Sequence, residues 1–458
     1  MSGSDTVESY RKTALPGGVR IVTEEMPHVR SCAVGLWLNA GSRWESPKLN
    51  GVSHFIEHLV FKGTMNRTAK QIAEEIDDVG GHLNAVTARD YTCYFAKVPD
   101  KHVRFAIDII CDIVCRPMLR ESDIEKEKGV IAEEISMYED SPEEIVHDLL
   151  ASTAWGHNSL GLPILGSDKT MGNLTRNDIV TYMSGNYLLE GTVISVAGNI
   201  KHDEVVEEVS KHLNLSKIPM TSCTTPAWKP GTFAFRSKSI EQAHLCIGYE
   251  SFGRRHPDRF GLYILDVAVG GGLSSRLFQK LREDQGLVYS TYSYAALYED
   301  TGAFVVYAGT SVENIQLVKD LILEELGDIC SNGLKWEEYN RGKEQLKNGL
   351  ALNLETTNSR MSRLGRLELA GEPLRTPDEA GKIIDNVTYD DVSRIAGELL
   401  SRELPVIAVA GPRKTRSFLV RREQYYAEPR EETADTSGSY RGFTRRATLN
   451  DSPITRET

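Results

Sequence analysis

The sequence predicts an α+β chain built from two homologous α/β units and a polar tail. Three observations carry that reading. Short β-rich runs alternate with amphipathic helical stretches in both halves. Thr192-Val193-Ile194-Ser195-Val196-Ala197-Gly198-Asn199 reads like Pro405-Val406-Ile407-Ala408-Val409-Ala410-Gly411-Pro412, an offset of 213 residues. From residue 416 onward, Arg, Glu, Ser and Thr displace nearly all large aliphatic residues. Such a segment cannot bury enough apolar surface to offset the entropy of ordering.

Taken in order, residues 10–215 form the first unit. Within it, the β-rich run Tyr94–Val98 leads into a helix over Lys101–Cys115, and a second helix covers Glu121–Tyr138. Residues 216–232, rich in Pro and Thr, read as a linker. The second unit spans 233–415, where Ala303–Ala308 leads into a helix over Val312–Ile329. Gly270-Gly271-Gly272 precedes a helix there, but no Gly-Lys-Ser/Thr follows, which argues against a phosphate cradle. Residues 416–458 are read as a disordered tail.

Composition narrows the function classes. Hydrophobic content of 40% and charged content of 26% describe an ordinary soluble protein. No apolar run is long enough to span a membrane. A formal net charge of −12 argues against nucleic acid as a partner. Met1–Glu8 shows no charged-then-apolar signal pattern, and the seven cysteines contain no Cys-x-x-Cys. A reducing cytoplasm is the expected setting.

The chemistry concentrates in Gly51-Val52-Ser53-His54-Phe55-Ile56-Glu57-His58-Leu59. A helix turns about 100° per residue, so His54, Glu57 and His58 share an arc of roughly 100°. Two His at i and i+4 suit two corners of a zinc tetrahedron, and the Glu beside them suits a general base acting on metal-activated water. Val52, Phe55, Ile56, Leu59, Val60 and Phe61 make the rest of this helix apolar, so its three ionisable groups need partners. The order His-x-x-Glu-His inverts the commoner His-Glu-x-x-His.

A catalytic zinc takes three protein ligands. In the helix over Glu121–Tyr138, Glu127 and Glu134 fall on the stripe of Ile124, Ile131 and Ile135. Glu134 suits the third ligand and Glu127 a supporting carboxylate, while Glu133 lies off that face. Periodicity alone leaves this open against an ordinary solvated acidic helix.

The motif and its flanks resemble the zinc peptidases that include pitrilysin, insulysin and the mitochondrial processing peptidase. The residues that carry the resemblance are Gly51-Val52-Ser53-His54, the motif itself, Phe61-Lys62-Gly63-Thr64, Gly80-Gly81-His82-Leu83-Asn84-Ala85, and Glu133-Glu134-Ile135 with Asp140-Ser141-Pro142. Glu134 stands 76 residues after His58, the distance at which the family places its third ligand. The resemblance runs from about residue 12 to about residue 415. It implies two similar α+β domains, each a mostly antiparallel sheet layered with helices. It also implies one Zn²⁺ per chain and cleavage of unstructured peptides or presequences in an enclosed chamber.

By the same resemblance, an Arg and a Tyr seven residues apart in the second half complete the site, and Arg282 and Tyr289 match them. Peptide binds beside the positions of Asn84 and Ala85. Two-domain members join the metal half of one chain to the Arg/Tyr half of another, which implies a homodimer with composite sites. Some relatives are non-catalytic core subunits that have lost metal or Arg/Tyr residues. Here both sets are intact.

Overall fold

Strands that read as unbroken apolar runs need cover on both faces, and two interior strands of this protein, Val193–Gly198 and Val406–Gly411, are buried at every residue. The structure is a computed structural model that describes residues 10–187, 191–213 and 225–419. Its first half runs β1 (Tyr10–Ala14), β2 (Arg20–Glu25), β3 (Ser31–Leu38), α1 (Val52–Val60), α2 (Ala69–Asp78), β4 (His82–Thr87), β5 (Thr92–Pro99), α3 (Val103–Cys115), α4 (Glu121–Glu139), α5 (Pro142–Trp155), α6 (Asp168–Asn173), α7 (Arg176–Asn186), β6 (Val193–Gly198) and α8 (His202–His212). The second half repeats the plan. It runs β7 (Phe233–Ser237), β8 (Gln242–Ser251), α9 (Arg259–Gly270), a π-helical turn (Phe278–Glu283), β9 (Val288–Leu297), β10 (Gly302–Ser311), α10 (Ile315–Asn332), α11 (Trp336–Asn353), α12 (Thr357–Leu369), α13 (Pro377–Asn386), α14 (Tyr389–Ser401), β11 (Val406–Gly411) and α15 (Thr415–Phe418).

The sheets are superposable in order. The first is β1-β2-β6-β3-β5-β4 and the second is β7-β11-β8-β10-β9. In each, one parallel pair (β2 with β6, β7 with β11) joins an otherwise antiparallel ladder. The eight-residue repeat seen in the sequence falls on β6 and β11, the equivalent strands next to the parallel edge. Three expectations need adjustment. α3 begins at Val103 because a 3-10 turn, Asp100–His102, precedes it, and α10 likewise begins at Ile315, after the 3-10 turn Val312–Asn314, and runs on to Asn332. The region read as tail from residue 416 still carries α15, whose Thr415 is fully buried; the rest of that tail and most of the linker lie outside the described residues.

Each sheet is sandwiched, and the outer cover is exchanged. On one face of the first sheet lie α1, α3 and their neighbours, with Leu36, Phe55, Ile107 and Ile194 in one core. On its other face, Val22, Ala33, Trp37 and Val193 pack under Met361 and Leu364 of α12, a helix from the second half. Reciprocally, α5 from the first half lays Ile145, Leu150, Ala154 and Trp155 on Cys246, Val305, Val406 and Ala408 of the second sheet. Gly35 permits the close seating of α12, because a Cβ there would stand 2.4 Å from Met361 Sδ. Ion pairs follow the same crossings: Arg20 Nε reaches Glu368 Oε1 at 2.6 Å, and Arg236 Nη2 reaches Glu139 Oε2 at 2.7 Å.

Each half therefore lacks the cover of one sheet face until the other is present. Segments 1–215 and 216–458 produced separately are expected to give no cooperative thermal transition, and to copurify as a folded pair when produced together. A sharp melt from either segment alone would show that the exchanged helices are dispensable.

Candidate metal centre

α1 is amphipathic in an unusual sense: its inner side is core and its remaining arc carries the ionisable groups. Phe55 and Ile56 are wholly buried, His54 is 8% exposed, and Glu57 and His58 are half-buried at the rim. The two imidazole rings lie 4.7 Å apart, centre to centre, at 64°. α4 crosses beside α1 and brings Glu134 to them. Glu134 Oε1 stands 3.7 Å from His54 Nε2, and Glu134 Oε2 stands 3.4 Å from His58 Nε2. Among the described residues, His54, His58 and Glu134 are the one group of three potential ligands, with donor atoms all within 4.8 Å of one another.

That spacing fits a metal. Two ligands bound tetrahedrally to Zn²⁺ at about 2.1 Å stand roughly 3.4 Å apart. The tautomer fits as well. Glu127, 4% exposed on α4, accepts from His58 Nδ1 at 3.3 Å, so His58 Nε2 presents its lone pair to the group. Lys62 Nζ holds the other Glu127 oxygen at 2.8 Å. Burial, with the neighbouring His58, pushes His54 down to about 4, which keeps that ring neutral and able to ligate near neutral pH. His54 Nδ1 is buried without a hydrogen-bond partner. Glu133 points away and is exposed, as its position on the helix required.

Glu57 lies beside this group without belonging to it. Burial raises its pKa, while Thr87 Oγ1 donates to Glu57 Oε2 and pulls the other way. β4, which carries Thr87, is the outermost strand of the first sheet on this side. Its inward face holds Leu83, Ala85 and Thr87, and its outward face exposes His82, Asn84 and Val86. Asn84 Oδ1 accepts from the Ala85 amide at 2.8 Å.

The remaining expected site residues lie elsewhere in the chain. Arg282 sits in the π-helical turn with its guanidinium 5.0 Å from the Phe278 ring centre. Tyr289, on the edge strand β9, is 62% exposed. Among the described residues Arg282 makes no ion pair and Tyr289 no side-chain hydrogen bond, so neither is joined to the His54–Glu134 group within the chain.

Two residues around the centre escaped the sequence reading. Thr87 shares strand parity with Ala85, a signal that was available. Glu45 is the other. It is 4% exposed, in the loop before α1, and accepts from Gly51 N at 2.6 Å, Ser53 N at 2.8 Å and Asn50 Nδ2 at 3.1 Å. Burial pushes its carboxyl up, to about 7, against the effect of those donors.

Duplicated α/β halves with an inverted His-x-x-Glu-His helix in one of them define a protein of the two-domain metallopeptidase type. Residues 20–168 match insulinase (peptidase family M16) and residues 173–346 match the peptidase M16 inactive domain. The chain belongs to peptidase family M16. It is 41% identical over 402 residues to a zinc protease of Bacillus subtilis named YmxG, covering 87% of this chain and 98% of that one. It is 40% identical over 424 residues to a zinc protease of Streptomyces coelicolor, covering 90% and 92%. Among solved structures, a peptidase M16 inactive domain from Pseudomonas fluorescens superposes with a TM-score of 0.82 at 18% identity, over 88% of this chain and 98% of that chain. A protease from Helicobacter pylori does so with a TM-score of 0.81 at 22% identity, over 88% and 99%. These two establish the shared fold. No described helix is long and apolar enough to cross a membrane.

Two measurements follow from this geometry. Glu127→Gln is expected to weaken zinc binding about 10–100-fold in a chelator competition titration, while Glu133→Gln leaves it unchanged; equal affinities for all three proteins would remove the supporting role of Glu127. In zinc-free protein, His54 is neutral when folded and takes up a proton on unfolding between its ordinary 6.5 and about 4. Stability therefore rises with pH across that window. His147, His202 and His244 are depressed by burial too, so the readout is the difference: His54→Leu should show a shallower rise in melting temperature than wild type.

Proposed function

We propose that this chain is a zinc-dependent endopeptidase that cleaves unstructured peptides, presequences among them, in a chamber closed by a second copy of itself. The observation that carries the reading is the convergence of His54, His58 and Glu134 beside Glu57. It is supported by membership of peptidase family M16 and by relatives named zinc proteases.

His54 Nε2, His58 Nε2 and a Glu134 oxygen would hold one Zn²⁺ per chain. Zinc at such a site supplies Lewis acidity, polarising a carbonyl and lowering the pKa of water. Glu57 takes the proton of the attacking water as its oxygen bonds to the scissile carbon, and delivers it to the amine as the C–N bond breaks. A carboxyl whose pKa burial has raised is suited to both halves of that transfer. Thr87 fixes which Glu57 oxygen remains free to work.

The exposed edge of β4 pairs with an extended substrate past Asn84 and Ala85, by main-chain hydrogen bonds that tolerate many sequences. A folded protein offers no such free strand, which restricts substrates to unstructured chains. Arg282 holds a substrate carbonyl and Tyr289 donates to the developing oxyanion. Both are exposed, and among the described residues Arg282 makes no ion pair and Tyr289 no side-chain hydrogen bond, which favours delivery to the centre of a partner copy, in a two-fold dimer.

Cleavage of a quenched flexible peptide is expected to vanish on chelation and return with zinc. Glu57→Gln should retain zinc and lose about 10²–10⁴-fold in kcat. Cleavage indifferent to both treatments would refute the mechanism. Mixing Glu57→Gln with Tyr289→Phe chains tests the composite site. Random assortment makes half the dimers mixed, each with one intact site, so about a quarter of wild-type activity should reappear. Mixed dimers that form without gaining activity would place both residue sets in one chain.

A further inference from the structure

The helix that carries the imidazole pair cannot cap itself. Its N-cap position is Gly51, in the left-handed region at φ 95°. A Cβ there would stand 2.5 Å from Met171 Cε, 2.8 Å from Leu165 O and 2.9 Å from Gly166 Cα, so no capping side chain fits. By contrast α2, α6, α7, α13 and α14 each begin at their own Thr or Ser, whose hydroxyl accepts the N3 amide. The first amides of a helix are orphan donors, and leaving them buried and unmatched is costly.

Glu45 performs this task from six residues upstream. One of its oxygens takes Gly51 N and Asn50 Nδ2, and the other takes Ser53 N, the residue directly before His54. Asn50 in turn donates to Pro163 O at 2.8 Å, and Ser53 Oγ lies 2.9 Å from Tyr182 OH. Arg43, two residues before Glu45, is fixed on Asp90 at 3.5 Å and on Asp300 at 2.5 Å. The loop that presents Glu45 is thus anchored to both halves of the chain. The two oxygens of one carboxylate hold the start of α1 at two of its amides.

We propose that Glu45 is a positioning residue for the metal centre: its buried two-oxygen clamp on Gly51 and Ser53 sets the placement of the His54 and His58 rings relative to Glu134. This role rests on the zinc-peptidase reading above. Ligating groups must be held to within about 0.5 Å of productive geometry, and the rigid turn from Ser53 to His54 transmits any shift at the clamp directly to the first ring.

The test compares full-length Glu45→Ala and Glu45→Gln with Thr376→Ala, which removes the hydroxyl cap of α13 in the other half. Melting temperature, zinc affinity by chelator competition, the visible d–d spectrum of the Co²⁺-substituted protein, and kcat against KM are measured on each. Both Glu45 variants are expected to bind zinc about 10–100-fold more weakly, to show an altered Co²⁺ spectrum, and to lose kcat with KM little changed. Thr376→Ala should lower the melting temperature alone. Glu45→Gln keeps the shape of the side chain, so it stands in should Glu45→Ala not fold. Folded Glu45 variants with wild-type zinc affinity and Co²⁺ spectrum would overturn the role, however low their melting temperatures. Wild-type protein that takes up no zinc would instead overturn the function on which it rests.

Discussion

A core helix that presents two imidazoles and a carboxyl sets a demand that much of the first half is arranged to meet. Each of these groups is costly to bury unmatched, by about 1–3 kcal/mol for a neutral donor or acceptor and more for a charge. The partners come from every side. Glu45 covers the start of α1, Thr87 on β4 covers Glu57, and Glu127 on α4 covers the far nitrogen of His58. Just beyond α1, the turn at Thr64 is held by Asp112, a fully buried carboxylate of α3 that also receives Asn66 and Arg67. Unmatched within the chain are His54 Nδ1, buried without a partner, and the ligand group itself, where Glu134 keeps 43% of its side chain exposed. A half-exposed carboxylate beside two imidazoles is an arrangement open to an entering cation.

The second half shows what the same architecture becomes without that demand. α9 follows β8 as α1 follows β3, and Asp266 occupies the place of Glu57. The correspondence rests on a shared contact: Glu57 receives a backbone hydrogen bond from Thr87 of β4, and Asp266 receives one from Ala295 of β9, the equivalent edge strand. Burial pushes Asp266 up to about 6, and Ser293 donates to it at 2.5 Å. The positions three before and one after, those of His54 and His58, hold Tyr263 and Val267. A phenol and an isopropyl group leave the carboxyl with no ligand set to serve. The retained acid has become an internal hydrogen-bond partner, in keeping with the match of this half to an inactive domain.

Most of this was legible in the sequence, and the parts that were not share a cause. Local periodicity identified α1, because His54, Glu57 and His58 interrupt a helix that is otherwise apolar. The same reasoning separated Glu134 from Glu133, since adjacent helical residues point about 100° apart. The eight-residue repeat located the equivalent strands β6 and β11. Periodicity reports that a helix has an apolar face and not which sheet it covers, so the exchange of α5 and α12 left no local trace. Glu45 lies in a loop, where no period exists to mark it as inward. Arg282 was expected near a helix, but a π-helical turn re-aims side chains in a manner that spacing alone does not show.

The exchange bears on how substrate reaches the centre. Separating the halves would strip α5 from the second sheet and α12 from the first, exposing two apolar faces at once. It would also break Arg43 from Asp300, Arg254 from Asp90, Arg360 from Glu24 and Arg20 from Glu368. Arg43 keeps Asp90 as a partner within its own half, whereas Glu368, almost fully buried, loses both Arg20 and Lys12. Opening at the seam between halves is therefore not a low-energy motion for this chain. The centre on α1 and α4 and the edge of β4 remain on an accessible surface without any such opening. The proposed composite site accords with this, since a second copy can bring Arg282 and Tyr289 to the centre without parting the two halves of either chain.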